Sequence, residues 1–252
     1  MDYSYFTDFG DRKINEDRVG VAFHDEACCF VVADGLGGHG GGETAAQTAV
    51  DTVCVQFEEN GFHDQFFEQA FSAAQDAILQ KQERIGAHSQ MKTTLVLLVI
   101  DRGKAYWAHV GDSRLYFFRA GKIRTRTLDH SVPQMLALSG DISEADIRHH
   151  PDRSRLLRVM GVRGESPRYE ASGPVLLSGN MDFLMCTDGF WELICEDEMA
   201  AALKQTRTCA EWLEHMHMIA EENGVACDRD NCTALAVRTH TVRGIGRFLR
   251  RA

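Results

Sequence analysis

Aspartates stand beside apolar runs at four places in the chain. They are Asp34 after "FVVA", Asp112 after "AHVG", Asp188 after "FLMCT" and Asp230 two residues before "CTALAV". Each run predicts a strand, so each carboxylate is expected at the rim of the core, where it is poorly solvated unless a positive charge lies nearby. Converging strand ends would form the oxygen cage that Mg²⁺ and Mn²⁺ prefer. The acidic pair Glu16–Asp17 is a candidate for the same site.

Asp34 opens a glycine-rich stretch, "DGLGGHGGGE", between a predicted strand and a predicted helix. Because Gly35 has no Cβ, its backbone carbonyl could approach an ion closely. An Asp-Gly pair is also an ordinary turn signal, and for any single site a turn is the favoured interpretation. The repetition of the pattern, rather than one occurrence, indicates a metal site.

The same stretch matches GxGxxG through Gly35, Gly37 and Gly40, a pattern typical of dinucleotide-binding loops. The match is weak, because the predicted strand order is antiparallel rather than βαβ. Asp34 and Glu43 would also repel a pyrophosphate. A Walker loop is excluded, since no Lys-Ser or Lys-Thr follows the glycines.

Phosphate recognition therefore needs another group, and Arg12 is the candidate. It stands four residues before Glu16. The planar guanidinium of arginine donates two parallel hydrogen bonds to phosphate oxygens. An arginine near an N-terminus is more often a solvated surface charge, so this assignment depends on the acidic residues around it.

The elements that must position these residues follow from hydrophobic periodicity. Strands are predicted at 18–23, 28–33, 93–100, 104–110, 114–120, 174–179, 182–189 and 232–239, and helices at 43–58, 64–82, from Trp191, 197–204 and 209–223. Residues 128–168 are predicted to form a surface segment with short helices at most. This order predicts one α+β domain of mostly antiparallel sheets with helices on their outer faces.

Composition narrows the class of protein. The 252 residues carry a formal net charge of -10 and are 44% hydrophobic, which supports a large core and argues against nucleic-acid or anionic-membrane surfaces. The eight cysteines contain no CxxC pair and are expected to be mostly buried. With no signal peptide and no apolar run long enough to span a membrane, a cytoplasmic protein is expected.

Seven motifs in this order resemble those of the metal-dependent serine/threonine protein phosphatases of type 2C, the PPM family. They are "RKINED" (12–17), "VADGLGGHGGGE" (32–43), "TTL" (93–95), "VGDSR" (110–114), "DHS" (129–131), "CTDGFWE" (186–192) and "DN" (230–231). The resemblance covers nearly the whole chain, and residues 137–161 are similar to the flap and following segment of the bacterial branch.

This resemblance implies a four-layer αββα sandwich, in which two mostly antiparallel sheets are flanked by helix pairs. A single phosphatase domain is expected over 1–240, with a flap at about 132–165 and a basic tail at 241–252. The implied cofactors are two Mn²⁺ or Mg²⁺ ions, with a third, weaker site. A water or hydroxide bridging the two ions attacks phosphorus in line, without a phosphoenzyme intermediate.

The family pattern also implies a role for each site residue. Asp34 bridges both ions, the Gly35 carbonyl binds one, and Asp188 and Asp230 hold the other. Asp112 completes the third site together with Asp188. Two further assignments lie around the ions: Glu16 and Asp17 order bound waters, while Arg12 offsets charge on the phosphoryl oxygens.

The chain departs from the family pattern at two positions. Leu36 stands where many eukaryotic members have a histidine, so a metal-bound water is the expected general acid. Lys92 replaces a usual glycine, which affects a local loop rather than the metal ligands. Histidines are not expected to bind metal: His39 is expected to be structural, and His130 to tie a loop near the site.

The expected function is hydrolysis of phosphoserine and phosphothreonine in proteins, opposing a bacterial serine/threonine kinase, by a monomer. One alternative is a dedicated phosphatase of a single regulatory phosphoprotein, of the anti-sigma-antagonist type. An inactive binding module of the same fold is another, and the complete set of carboxylates counts against it. The compact length would also suit the phosphatase of a type VI secretion kinase/phosphatase pair.

Overall fold

A computed structural model describes residues 1–37, 40–86, 91–164, 166–226 and 228–240. The predicted tail, 241–252, and His39 lie outside these residues. Twelve strands and six α-helices are described. The strands are β1 (Asp2–Asp8), β2 (Arg18–His24), β3 (Ala27–Ala33), β4 (Gly35–Leu36), β5 (Lys92–Thr93), β6 (Leu95–Asp101), β7 (Lys104–Val110), β8 (Arg114–Arg119), β9 (Lys122–Arg126), β10 (Glu170–Leu176), β11 (Asn180–Cys186) and β12 (Cys232–His240).

The helices flank these strands in chain order. They are α1 (Gly41–Asn60), α2 (Phe66–Ile85), α3 (Val132–Ser139), α4 (Asp188–Trp191), α5 (Glu196–Gln205) and α6 (Cys209–Gly224), with a 3₁₀ helix at Glu144–His149. None of the helices in the described ranges has the length and apolar character needed to cross a bilayer.

Two five-stranded sheets form the centre of the molecule. Their strand orders are β1-β12-β11-β8-β9 and β10-β7-β6-β3-β2, and every described strand pair is antiparallel. Antiparallel pairing explains why local hairpins such as β2–β3 and β6–β7 could be predicted from sequence.

Three apolar layers hold the sheets and helices together. Phe30 and Phe183 belong to the layer between the two sheets. Phe57 and Phe71 lie between the second sheet and α1 and α2, whereas Trp212 lies between the first sheet and α5 and α6. The result is the predicted four-layer αββα sandwich, so the predicted α+β fold class is confirmed.

Several local predictions were wrong or displaced. Strand β1 was not predicted, because its residues alternate irregularly between half-buried and exposed and its register is set by the distant β12. Strand β9 was also missed, for it is short and largely exposed. Strand β10 begins at Glu170 rather than 174, as a mostly exposed strand with a register shift between Ser172 and Val175. Helix α4 begins at Asp188 rather than Trp191.

Candidate active site

The strand ends that carry the predicted site residues meet at one edge of the sandwich. Arg18 pairs with Ala33 across β2 and β3, which places Asp17 beside Asp34. Asp188, which follows β11 of the other sheet, lies close enough to Asp34 for its charge to raise the pKa of the Asp34 carboxyl. The acidic residues at these strand ends therefore converge, as the sequence pattern predicted.

The converging carboxylates raise one another's pKa values. Burial is the largest cause for Asp17, Asp34 and Asp112, and the charge of Asp188 raises all three pKa values further. Burial, followed by the charge of Glu192, raises the pKa of Asp188 to about 7. Several carboxyl groups share one poorly solvated space, and a cation there would stabilise their ionised forms.

Asp17 provides direct evidence of an unsatisfied acceptor at this edge. Its side chain is buried, and its Oδ2 accepts a hydrogen bond of 2.8 Å from the hydroxyl of Thr187. Its Oδ1 is also buried but has no hydrogen-bond partner among the described residues. Such a group calls for an ion or ordered water. The all-oxygen donor set fits Mg²⁺ or Mn²⁺.

Glu16 lies at the beginning of α1. Burial raises the pKa of its carboxyl, and the neighbouring backbone amides of Glu43 and Gly42 act in the opposite direction. These first-turn amides are the donors that a pyrophosphate would need, so the arrangement argues against the dinucleotide alternative. A Cβ on Gly35 would lie 2.2 Å from the Gly42 carbonyl oxygen, which shows that close packing against α1 already requires glycine at this position.

Arg12 reaches the site from the loop after β1, where it is paired with carboxylates. Its Nε and Nη2 donate to Asp230 Oδ1 and Oδ2 at 3.1 and 3.3 Å, and its Nη1 donates to Asp228 at 3.0 Å. Asp230 is more exposed than the other predicted ligands, with 52% of its side chain accessible. The structure therefore brings Arg12 and Asp230 together at the solvent side of the cluster.

Two threonines fix the backbone of Asp34. The Thr94 hydroxyl accepts a hydrogen bond of 2.9 Å from the Asp34 amide, and the Thr93 hydroxyl donates to the Asp34 carbonyl at 2.8 Å. Sequence reasoning recognised the "TTL" motif but assigned these threonines no role. Adjacent threonines at the start of an apolar run were the available signal.

Asn231 holds together the loop that contains Arg12. Its Nδ2 donates to the carbonyls of Phe9 and Ile14 at 3.0 Å, and its Oδ1 accepts from the Glu16 amide at 2.8 Å. A Cβ on Gly189 would lie 2.2 Å from the Asn231 carbonyl oxygen. The "DN" motif thus provides a buried amide that orders three neighbouring segments, a function that local spacing could not reveal.

A cleft of about 660 Å³ opens beside Asp188 and Asp230. Its opposite side includes Arg148, His149 and Arg153 from the segment between β9 and β10. Arg148 Nε donates to the Trp191 carbonyl at 3.0 Å, and Arg153 Nε donates to Glu192 at 2.9 Å. The cleft therefore has a polar wall of arginines that are themselves anchored to α4 and the residue after it.

A histidine cluster lies near the Asp112 turn. His109, His130 and Glu170 each place one potential ligand atom within 4.8 Å of the others. The Gly111 amide donates to His130 Nδ1 at 3.2 Å, so neutral His130 carries its proton on Nε2, which lies 3.2 Å from Glu170. Burial, and then His109, lowers the pKa of His130 to about 4. Hydrogen bonds thus account for the cluster without an ion, and they tie the loop at His130 to the Asp112 turn.

Comparison with known proteins agrees with this geometry. The family model for protein phosphatase 2C matches residues 10–234. A serine/threonine phosphatase, stp, of Listeria monocytogenes serotype 4b is 32% identical over 234 residues, which cover 90% of each chain.

Solved structures of two bacterial proteins share the fold. The Mycobacterium tuberculosis serine/threonine phosphatase PstP/Ppp has a TM-score of 0.81 and 26% identity, covering 93% of this chain and 96% of that one. PppA of Pseudomonas aeruginosa, described as a key regulatory component of T6SS, has a TM-score of 0.74 and 25% identity, covering 93% and 95%. The chain therefore belongs to the protein phosphatase 2C family.

Proposed function

We propose that this protein phosphatase 2C member hydrolyses phosphoserine and phosphothreonine in bacterial proteins by metal-dependent catalysis. The observation that carries the proposal is the convergence of Asp17, Asp34, Asp112 and Asp188, whose pKa values are raised by burial and by one another's charges. Buried carboxylates gathered in one poorly solvated space are costly to the fold unless they bind ions.

The residues that would hold two Mn²⁺ or Mg²⁺ ions are Asp34, the Gly35 carbonyl, Asp188 and Asp230. Asp112 and Asp188 would hold a third ion, and Glu16 and Asp17 would order the surrounding waters. Two observations support this assignment. The buried Oδ1 of Asp17 has no hydrogen-bond partner among the described residues, and all of the proposed ligand atoms are oxygens. When bound, such ions lower the pKa of a water so that it can act as a nucleophile at neutral pH.

Arg12 would orient the phosphoryl group of the substrate. Its side chain is 43% exposed and lies at the solvent side of the cluster, where a phosphate can reach it. The fork that it now directs at Asp230 has the geometry that arginine uses for phosphate oxygens. Binding the phosphate by this fork would position phosphorus over the carboxylate cluster and offset charge that develops on its oxygens.

The substrate peptide would lie in the cleft beside Asp188 and Asp230. A volume of about 660 Å³ accommodates the phosphorylated side chain and a few flanking residues. The arginine-containing wall from residues 144–154 would contact those flanking residues.

We assign the protein a cognate serine/threonine kinase, a cytoplasmic location and a monomeric state. The Listeria relative, a serine/threonine phosphatase, supports the substrate class. The likeness to PppA supports the narrower hypothesis of a role in a type VI secretion system. The full set of carboxylates favours catalysis over an inactive binding module.

The test is release of phosphate from a phosphothreonine peptide with Mn²⁺, with Mg²⁺ and with chelator. We expect activity only with a divalent ion, and at least a roughly 100-fold loss in Asp188→Ala. Asp51→Ala, on the exposed side of α1, is the matched control and should retain activity. A folded wild-type protein that binds Mn²⁺ but hydrolyses no phosphopeptide would contradict the proposal.

A further inference from the structure

The side chain of Trp191 connects two of the site's backbone segments. Trp191 ends α4, the helix that begins at Asp188, and its side chain is buried. Its indole Nε1–H donates a hydrogen bond of 3.0 Å to the backbone carbonyl of Asp112. The indole therefore links the turn at Asp112 to the helix that begins at Asp188. These two residues are the proposed ligands of the third ion.

The indole ring is held in place on its face. The guanidinium carbon of Arg114 lies 3.4 Å from the ring centroid, which is a close cation–π contact. Arg114 is in turn fixed by two hydrogen bonds of 2.8 and 2.7 Å to the Asp129 carboxylate, and by one of 3.0 Å to the Tyr116 hydroxyl. This buried pairing leaves the guanidinium little freedom to move, and the ring beneath it is fixed accordingly.

The backbone of Trp191 is bound as well. Its carbonyl accepts a hydrogen bond of 3.0 Å from Nε of Arg148, in the 3₁₀ helix. Trp191 is thus restrained by its ring face, its indole nitrogen and its carbonyl. Such restraint exceeds what filling the core requires, because an apolar ring of similar size would fill the same space.

We propose that Trp191 is a positioning residue that sets the spacing of the Asp112 and Asp188 carboxylates and thereby the affinity of the third, weaker metal site. This inference rests on the proposed function. It assigns Trp191 no contact with substrate. Groups that orient metal ligands through hydrogen bonds typically change metal affinity by about 10- to 100-fold when they are removed.

The chain supplies a matched control in Trp212. This side chain is also buried, its Nε1–H donates to a backbone carbonyl, that of Met199, at 3.1 Å, and an arginine guanidinium, that of Arg238, lies 5.7 Å from its ring centroid. Trp212 packs in the same apolar cluster as Trp191 but binds no backbone group of the proposed metal ligands. Replacing either tryptophan by phenylalanine removes one indole hydrogen bond and keeps an aromatic ring.

The experiment measures Mn²⁺ binding to wild type, Trp191→Phe and Trp212→Phe by titration calorimetry, with thermal unfolding in chelator as a second measurement. We expect both variants to unfold at lower temperature. Only Trp191→Phe should weaken the weakest Mn²⁺ site, by about 10-fold, while the tighter sites keep their affinity. Unchanged Mn²⁺ binding in Trp191→Phe, or equal weakening in Trp212→Phe, would overturn the inference.

A second variant, Arg148→Ala, tests the inference even if Trp191→Phe does not fold. Arg148→Ala removes the hydrogen bond to the Trp191 carbonyl from the cleft side, and weaker binding at the same Mn²⁺ site supports the inference whereas unchanged binding contradicts it. Failure of the proposed function can be told apart from failure of this inference. In the first case the wild-type protein shows no metal-dependent phosphatase activity at all.

Discussion

Arg12 and Asp230, 218 positions apart in the chain, form a two-pronged ion pair at 3.1 and 3.3 Å. This pair joins the proposed phosphate-binding group to a proposed metal ligand. A divalent ion on Asp230 would compete with Arg12 for the carboxylate and leave the guanidinium free for phosphate. The relationship makes the role of Arg12 testable, because effects on substrate and on metal can be separated.

Replacing Arg12 with alanine should lower kcat/KM by roughly 100-fold, since a donor to the phosphoryl oxygens is lost. Mn²⁺ affinity should rise slightly, because the exposed guanidinium no longer competes for Asp230. Arg12→Lys should recover only part of the activity, because lysine lacks the planar fork. Phosphopeptide kinetics at saturating Mn²⁺, together with Mn²⁺ titrations, measure both quantities. Arg163→Ala, which removes a surface pair with Glu83, is the control. Altered Mn²⁺ affinity with normal kcat/KM would instead mean that Arg12 serves Asp230.

Replacing Asp17 with asparagine should stabilise the metal-free protein and impair catalysis. The substitution removes a buried charge whose Oδ1 has no partner among the described residues, while the amide keeps the shape of the side chain. We expect unfolding about 2 °C or more higher in chelator, and activity about 10- to 100-fold lower with Mn²⁺. Melting curves and phosphatase assays on the same preparation check both.

Asp51→Asn, at an exposed position of α1, serves as the control for Asp17→Asn and should change neither quantity appreciably. A variant at Asp17 that melts earlier and retains full activity would show that the carboxylate is structural.

The carboxylate cluster could be predicted from sequence because each member is marked locally. Asp34 and Asp112 follow β3 and β7, which both pair antiparallel with β6 and therefore end at the same edge of their sheet, and Asp188 follows β11 of the other sheet. The α+β class and the helix pairs follow from periodicity in the same way.

Other parts of the site have no local signal. Strand β1 is defined by its pairing with β12, for instance Asp8 with Cys232, and its own residues do not alternate cleanly. The contact between Trp191 and the Asp112 carbonyl depends on how two sheets pack, and an aromatic residue three positions after an aspartate predicts nothing of the kind. Interactions that join distant segments are invisible until the tertiary structure is known.

Replacing Asp129 with asparagine should destabilise the fold strongly. Asp129 forms a two-pronged pair with Arg114, and both side chains are buried. Breaking one partner of a buried pair leaves an uncompensated charge and costs about 3–5 kcal/mol. Urea unfolding should therefore show a loss of this size, while Glu83→Gln, which breaks the exposed pair with Arg163, should cost about 1 kcal/mol or less. Equal losses in the two variants would contradict this account.

The stability gained from Mn²⁺ should increase with pH. In the metal-free protein the pKa of Asp188 is raised to about 7, and those of Asp34 and Asp112 are also raised, so the folded state binds more protons than the unfolded state above about pH 4. Stability from these groups is therefore lost as pH rises towards 7. The pKa of His130 is lowered to about 4, so this group adds stability as pH rises towards 6.5. Its contribution to the free energy of unfolding cancels when curves with and without Mn²⁺ are compared at each pH.

Thermal unfolding from pH 5 to pH 8, in chelator and in saturating Mn²⁺, measures this effect. Because Mn²⁺ requires ionised ligands, its binding displaces protons at low pH, and the rise in melting temperature should be largest near pH 8. Asp188→Asn removes the group with the pKa of about 7, so its Mn²⁺-dependent rise should be smaller and should vary less with pH. A rise that is the same at pH 5 and pH 8 in the wild type would show that the raised carboxyl groups are not the ones that bind the metal.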